Sequence, residues 1–384
     1  MLHQNSVFHS LLKHVPWRRL EQVVENHRAD DLARKLTTKR HLVALLYGQF
    51  SGATSLREIV TGMASHATRL YHLGARPVKR STVSDANRDR PWQVFSELFA
   101  LMLKQAHPAL RRASKDAVRL IDSTTVRLSN LSADWAQFSA GVCGVKAHII
   151  YDPHADRPIY FAVTPSNVND ITAAKAMPIE PGATYVYDLG FYDYAWWAQI
   201  DDAGSRFVTR LKKNTPLTIV HENNVAKDGN ILSDRIGFLP QRLANSRKNP
   251  MHDAVREVRV MIETGKILRI VTNDLDAPAQ DIADLYKQRW EIELFFRWIK
   301  QTLRITHFIG VCENAVRIQI AVALIAFLLL RLAQAAQGVV RSPLEFARLV
   351  RVNLMHRRPI DRLCEPLQPI AVNPNQLTLG LYFQ

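Results

Sequence analysis

The run "IAVALIAFLLL", Ile320–Leu330, constrains the chain more than any other stretch. It is shorter than the ~18 apolar residues expected of a membrane-spanning helix. Arg317 and Arg331 bracket it, so it reads as a buried core helix rather than a span, and no membrane is expected as a partner. A chain of 384 residues with 47% hydrophobic content is long and apolar enough to bury such a helix, and two or three domains are expected.

The segments around this helix divide into different kinds. Residues 1–115 read as helical, with apolar residues at helical spacing in "HLVALLYGQFSG" and "WQVFSELFALMLKQA". Between these lies a helix ending near Gly74 and a short basic helix "STVSDANRD", with Ser81 as its expected N-cap. Arg76, Lys79, Arg80, Arg88 and Arg90 surround it. The stretch admits two readings: a DNA-binding helix-turn-helix, with those cations meeting phosphates, or an ordinary helical bundle with a solvated basic face. The formal charge of +15 and pI of about 9.9 favour an anionic partner, of which nucleic acid is the commonest.

From about residue 116 the pattern becomes that of an α/β protein. "AVRLIDSTTVRLS", "CGVKAHIIYD" and "PIYFAVTP" read as three consecutive strands, with "PHADR" as a turn. "DITAAKAMP" is a short helix with Asp170 as a cap, "TYVYDLGF" a fourth, buried strand, "DYAWWAQIDDAG" a helix and "RFVTRLKK" a further strand. This predicts a mixed sheet flanked by helices over 116–213. Four short strands over 214–275 predict a β-rich insertion, 276–340 returns to helices, and 341–384 is a C-terminal tail whose last residues, "GLYFQ", resemble part of a protease-cleavage tag. Cys143, Cys312 and Cys364 form no CxxC or Cys/His pattern, which argues against structural zinc or a disulfide framework. A reducing compartment fits, and the first residues lack a signal-peptide apolar region.

"DLYKQRWEIELFFRWIKQTL", residues 284–303, reads as one long amphipathic helix. At 100° per residue, Tyr286, Arg289, Glu293 and Lys300 fall within a stripe of about 60°, with Arg297 beside it. Leu285, Ile292, Phe295, Phe296, Ile299 and Leu303 form the adjacent core face, and Trp290 and Trp298 read as packing residues. Taken alone, the stripe is a set of helical ion pairs or one side of a phosphate-binding, metal-holding cleft. Two more carboxylates occupy places where charge is costly: Asp122 inside an apolar strand and Asp188 at the end of a buried one. Lys146 and His148 share a strand face near them.

"IDST" with Asp122, "DLGF" with Asp188, and the pattern Y-x2-R-x3-E-x6-K formed by Tyr286, Arg289, Glu293 and Lys300 resemble the DDE transposases of the insertion-sequence-4 family. The resemblance covers nearly the whole chain. It implies a ribonuclease H-like catalytic core with a β-rich insertion before the last acid and an N-terminal helical DNA-binding domain. It implies that Asp122, Asp188 and Glu293 are catalytic and hold two Mg²⁺ ions, with Mn²⁺ as a substitute, for cleavage and 3′-hydroxyl joining. Tyr286, Arg289, Lys300 and Arg297 would then hold DNA phosphates, with Lys79, Arg80 and Arg88 as further DNA contacts. The implied partner is double-stranded DNA, transposon ends and target, bound by a homodimer in the bacterial cytoplasm, on the nucleoid, with no small-molecule substrate. Some enzymes of this type stack a flipped base on a tryptophan of the insertion. Here 214–275 holds no Trp, and Phe238 is its only aromatic residue. A catalytically silent DNA-binding regulator and a metal-dependent nuclease without strand transfer are the competing functions.

Overall fold

A computed structural model describes residues 5–110, 117–139, 142–226, 229–241, 248–302, 308–336, 342–363 and 365. Leu303, Cys364 and the terminal "GLYFQ" lie outside the described residues.

The N-terminal helices are α1 (Val7–Leu12), α2 (Trp17–Asn26), α3 (Thr38–Ser51), α4 (Leu56–Ser65), α5 (Ala67–Leu70), α6 (Arg80–Asp89) and α7 (Gln93–Leu110). Local chemistry starts several of them. Ser6, Thr37 and Ser55 each accept the N–H of the third residue on, and the Glu58 carboxylate reaches back to the Thr54 N–H, closing a reciprocal cap. The expected cap at Ser81 is not used: α6 begins a residue earlier, behind Lys79, without a side-chain cap. The link from α4 to α6 is also longer than a helix-turn-helix turn, because α5, a single 3₁₀ turn and the left-handed Gly74 (φ +66°) intervene.

The sheet follows. Its strands are β1 (Val118–Leu128), β2 (Gln137–Ser139) after the short α8 (Ala133–Ala136), β3 (Val142–Asp152) and β4 (Arg157–Pro165). Next come α9 (Asp170–Ala174), β5 (Thr184–Tyr187), α10 (Tyr194–Asp202) and β6 (Arg206–Arg210). β1 and β3 are antiparallel, as are β3 and β4, while β5 and β6 run parallel to β1. The order β4-β3-β1-β5-β6, with one antiparallel meander and then parallel strands joined through helices, is a ribonuclease H-like core. The strands expected over 214–275 are present as β7 (Thr218–Asn223), β8 (Ile231–Phe238), β9 (Val255–Met261) and β10 (Ile267–Thr272). They do not form a separate sheet. β10 pairs antiparallel with β6, so the core sheet continues outward through β9, β8 and β7. Arg256 ties this extension down from within, with its guanidinium bidentate on Asp234 at 2.7 Å and both groups almost fully buried.

Strand alternation sends side chains to two cores. Leu120, Ile149 and Val186 face one; Ile121, Ile150, Tyr185 and Tyr187 face the other, beside Trp196, Trp197 and Phe207. The first core is covered by α11 (Ala279–Gln288), α12 (Trp290–Thr302), α13 (Glu313–Ala336) and α14 (Pro343–Asn353). α13 contains the apolar run. It is long and apolar enough to cross a membrane, yet 83% of its most apolar window is buried inside the protein. The N-terminal helices share its core: α3 and α7 pack on it, and the Asn314 side chain donates to the carbonyls of Asn87 and Arg90. His41, fully buried in α3, bonds Asn87 at 2.7 Å. Arg90 is a structural residue and not a phosphate contact, because it is buried, donates to the Leu36 carbonyl at 2.6 Å and pairs with Asp30.

The described part of this segment, residues 284–302, belongs to two helices, not one. The Arg289 N–H bonds the Tyr286 carbonyl at 3.2 Å, a tightened turn that ends α11 just before α12 begins. α11 lies over β5, β6, β9 and β10, while α12 lies over β1. Together the two helices cover two parts of the sheet.

Candidate active site

Leu120 and Val186 are register partners across the parallel β1–β5 pair. Asp122 lies two residues beyond the first and Asp188 two beyond the second, so both leave neighbouring strands on the face covered by α11 and α12. Asp188 is held by the turn it starts, its carboxylate accepting the Gly190 N–H at 2.8 Å. A β-carbon on Gly190 would stand 3.0 Å from that same oxygen, so a larger residue there would press on the Asp188 carboxylate. Asp122 accepts the Ser123 N–H at 2.7 Å.

The helix break brings the stripe to this pair. Arg289 sits at the break, 2.7 Å from Glu293 and 4.0 Å from Asp122, bridging helix and strand. Tyr286, on α11, is buried under the Arg289 guanidinium, which stands 5.8 Å from its ring centroid. Burial raises the Tyr286 pKa against the opposing charges of Arg289 and Arg210. Lys300, half-buried on α12, is lowered by burial, while the charge of Asp122 acts in the opposite direction. Arg297 is exposed. The structure therefore gathers Asp122, Asp188, Tyr286, Arg289, Glu293 and Lys300 into one cleft. Lys79, Arg80 and Arg88 belong to the N-terminal helices; Arg88 is engaged by Asp85 and Asp89 on its own helix.

Among the described residues, no three His, Cys, Asp or Glu groups close into a ready metal cage. The electrostatics still fit a cation. Asp122 is pushed up to about 7, chiefly by burial and further by the charges of Asp188 and Glu293, against the Ser123 N–H and Arg289. Three ionised carboxylates against the Arg289 guanidinium and the Lys300 ammonium leave one net negative charge, and oxygen donors suit a hard divalent ion.

Ser123, Lys146, His148 and Asp170 lie on the opposite face of the same strands. Asp170 does not cap its helix; it accepts from the Ser123 hydroxyl at 2.7 Å and pairs with Lys146 at 3.2 Å. His148 is fully buried and bonds Thr164 at 2.8 Å, and Lys146 donates to the Val168 carbonyl. The pair expected near the site thus braces the strand behind Asp122. From the sequence Asp170 was legible only as a helix cap, because its partners are remote in sequence. Trp298 packs edge-to-face on Phe327 as expected, but Trp290 is 53% exposed at the first position of α12. At about 100° per residue Trp290 falls well away from the core face of Ile292, Phe296 and Ile299, so its exposure agrees with helical periodicity and not with a packing role.

With a ribonuclease H-like sheet, two aspartates on adjacent strands and a glutamate on a covering helix, the class is that of DDE phosphoryl-transfer enzymes acting on DNA. Residues 113–329 match the transposase DDE domain, and residues 3–76 match a domain of unknown function (DUF4372). The chain belongs to the DDE transposases of insertion sequences, enzymes that cleave and transfer DNA strands and depend on divalent metal. It is 39% identical to the putative transposase y4zB of Sinorhizobium fredii over 79% of this chain and 82% of that one. It is 29% identical to a probable transposase for insertion sequence element IS5377 from Geobacillus stearothermophilus, over 73% and 74%. A putative transposase for IS4SA from Synechocystis is 27% identical over 71% and 76%.

Proposed function

We propose that this transposase binds the terminal inverted repeats of its insertion sequence, cleaves the DNA at the ends and joins the 3′-hydroxyls to target DNA. The observation that carries the reading is the approach of Glu293 to Asp122, linked through Arg289, with the charge of Asp188 also acting on Asp122. Asp122, Asp188 and Glu293 are the residues that would hold two Mg²⁺ ions, with Mn²⁺ able to replace them. Bound there, the ions supply a lowered water or hydroxyl pKa and charge stabilisation at the phosphate. The protein's own part is positioning. Arg289 and Lys300 offer fixed cations to a phosphate entering the cleft, Tyr286 supports Arg289 from beneath, and Arg297 extends the rail toward solvent. The sheet behind Asp122 and the turn around Asp188 limit movement of both carboxylates. Joining two ends calls for two such sites, so the active form is a homodimer on DNA, working in the cytoplasm on the nucleoid.

The test is a labelled inverted repeat with target plasmid and Mg²⁺ or Mn²⁺. Wild type yields cleaved and joined products from a complex whose mass fits two protomers, and Asp122→Asn and Glu293→Gln yield neither product. Binding without cleavage by the wild type would identify a silent regulator. Cleavage without joining would identify a nuclease, and full activity in Asp122→Asn would remove that residue from the site.

A further inference from the structure

The N-terminal helices border a half-open cavity of about 380 Å³ that the catalytic reading does not use. His9, Lys13, Trp17, Lys39, His72 and Gly74 are among its lining residues, and no Asp or Glu lines it. Lys39 stands 4.9 Å over the Trp17 ring, which is itself pinned by its indole N–H donating to the Leu12 carbonyl. The Nδ1 atom of His9 is buried without a hydrogen-bond partner. Lys13 is exposed and Lys39 half-buried, and neither has an ion-pair partner among the described residues. The concentration of like charge is felt within the cavity: burial first, then Lys13 and His72, depress the His9 pKa. At the Gly74 rim the chain runs directly into the exposed Arg76, Lys79 and Arg80.

A half-open pocket with four basic side chains and no carboxylate favours an anion, and its size admits a tetrahedral oxyanion with its ester arms. We infer that this pocket seats a phosphate group of the DNA backbone, with Lys13 and Lys39 pairing to its oxygens, His9 and His72 donating, and the Arg76–Arg80 strip following the adjoining phosphates. This extends the DNA-binding reading to the segment matched only as a domain of unknown function, and rests on that reading. Such contacts fix register without reading sequence.

The experiment measures binding of the full chain to a fluorescent duplex by anisotropy, across a salt series. Wild type is compared with the Lys13→Gln/Lys39→Gln double variant, which keeps most of each side-chain stem. Thermal melting first checks that the variant is folded. Loss of two phosphate contacts lowers affinity roughly tenfold on any sequence and flattens the salt slope by about 2. Unchanged affinity and slope in a folded variant overturn the pocket while leaving DNA binding intact, whereas failure of the wild type to bind duplex removes both. Titration with inorganic phosphate separates the sources: loss of phosphate binding in the variant with duplex affinity retained would assign the pocket to a free anion and overturn the backbone assignment.

Discussion

Arg289 bridges two carboxylates of its own chain, Glu293 at 2.7 Å and Asp122 at 4.0 Å, whereas Lys13 and Lys39 border a cavity with no Asp or Glu. The difference concerns what each cation is for. A partly buried guanidinium between internal acids is fixed in place and shields their repulsion, so its loss disturbs geometry and local charge. A lysine with no internal acid beside it is free to pair with a DNA phosphate and release the cations condensed there, so its loss appears in affinity and salt dependence. The same chemical type therefore serves alignment in one region and capture in the other.

The largest expected effect follows at Arg289. Arg289→Gln should lower the joining rate by about 10²–10³-fold, the scale of removing one preorganised charge donor. Duplex affinity should change only a few-fold. Single-turnover joining and anisotropy on the same preparation measure both quantities. A variant that joins at the wild-type rate but binds DNA poorly would reverse the comparison, making Arg289 a capture residue like Lys13.

The next effect is on stability. The Asp122 carboxyl is raised from its ordinary value of 3.8 to about 7, so the folded state holds its proton more tightly than the unfolded state. Its penalty is absent below about pH 4, grows as pH rises and is complete above about pH 7. Without divalent ions, Asp122→Asn should stabilise the protein at pH 8 by on the order of 3 kcal/mol, with the gain shrinking toward pH 5. His41 and His148, lowered by burial to about 3 and about 4, give the opposite slope: they favour folding above about pH 6.5 and lose that contribution as pH falls. They are unchanged in the variant, so the difference between the two melting curves isolates Asp122. Adding Mn²⁺ at pH 8 should raise the wild-type midpoint and leave that of Asp122→Asn nearly fixed. Equal midpoints at pH 8 without metal would show that Arg289 already neutralises the site.

Much of the frame was readable where the relevant physics is local. Strand alternation located β1, β3 and β4, and charge within apolar strands singled out Asp122 and Asp188. Helical periodicity put Glu293 beside Arg289. What escaped depends on pairing between distant segments. Nothing in "RFVTRLKK" or "KILRIVTN" says that β6 pairs with β10, yet that pairing merges the expected insertion with the core sheet. The break at Arg289 has no proline or glycine to announce it, and α11 and α12 on either side of it lie over different strands. Arg90 looks like its basic neighbours until Asp30 and the Leu36 carbonyl close over it. The cationic pocket was invisible for the same reason, because His9, Lys39 and His72 meet only after three helical segments have packed.

The smallest expected effect tests the comparison within a single helix. Lys79 precedes α6 and Arg88 lies in its last turn; both are exposed and both were candidates for DNA contact. Arg88 is already engaged by Asp85 at 3.1 Å and Asp89 at 2.8 Å, a surface cluster in which two carboxylates offset one guanidinium. A phosphate approaching it meets net negative charge. Lys79 has no ion-pair partner among the described residues and follows the open rim of the pocket. Lys79→Gln should therefore weaken duplex binding a few-fold and flatten the salt slope by about 1. Arg88→Gln should leave the slope unchanged and shift affinity by less than about twofold. Equal slopes for the two variants would mean that Arg88 leaves its aspartates when DNA arrives, and that a cation's partners in the free protein do not decide its part in binding.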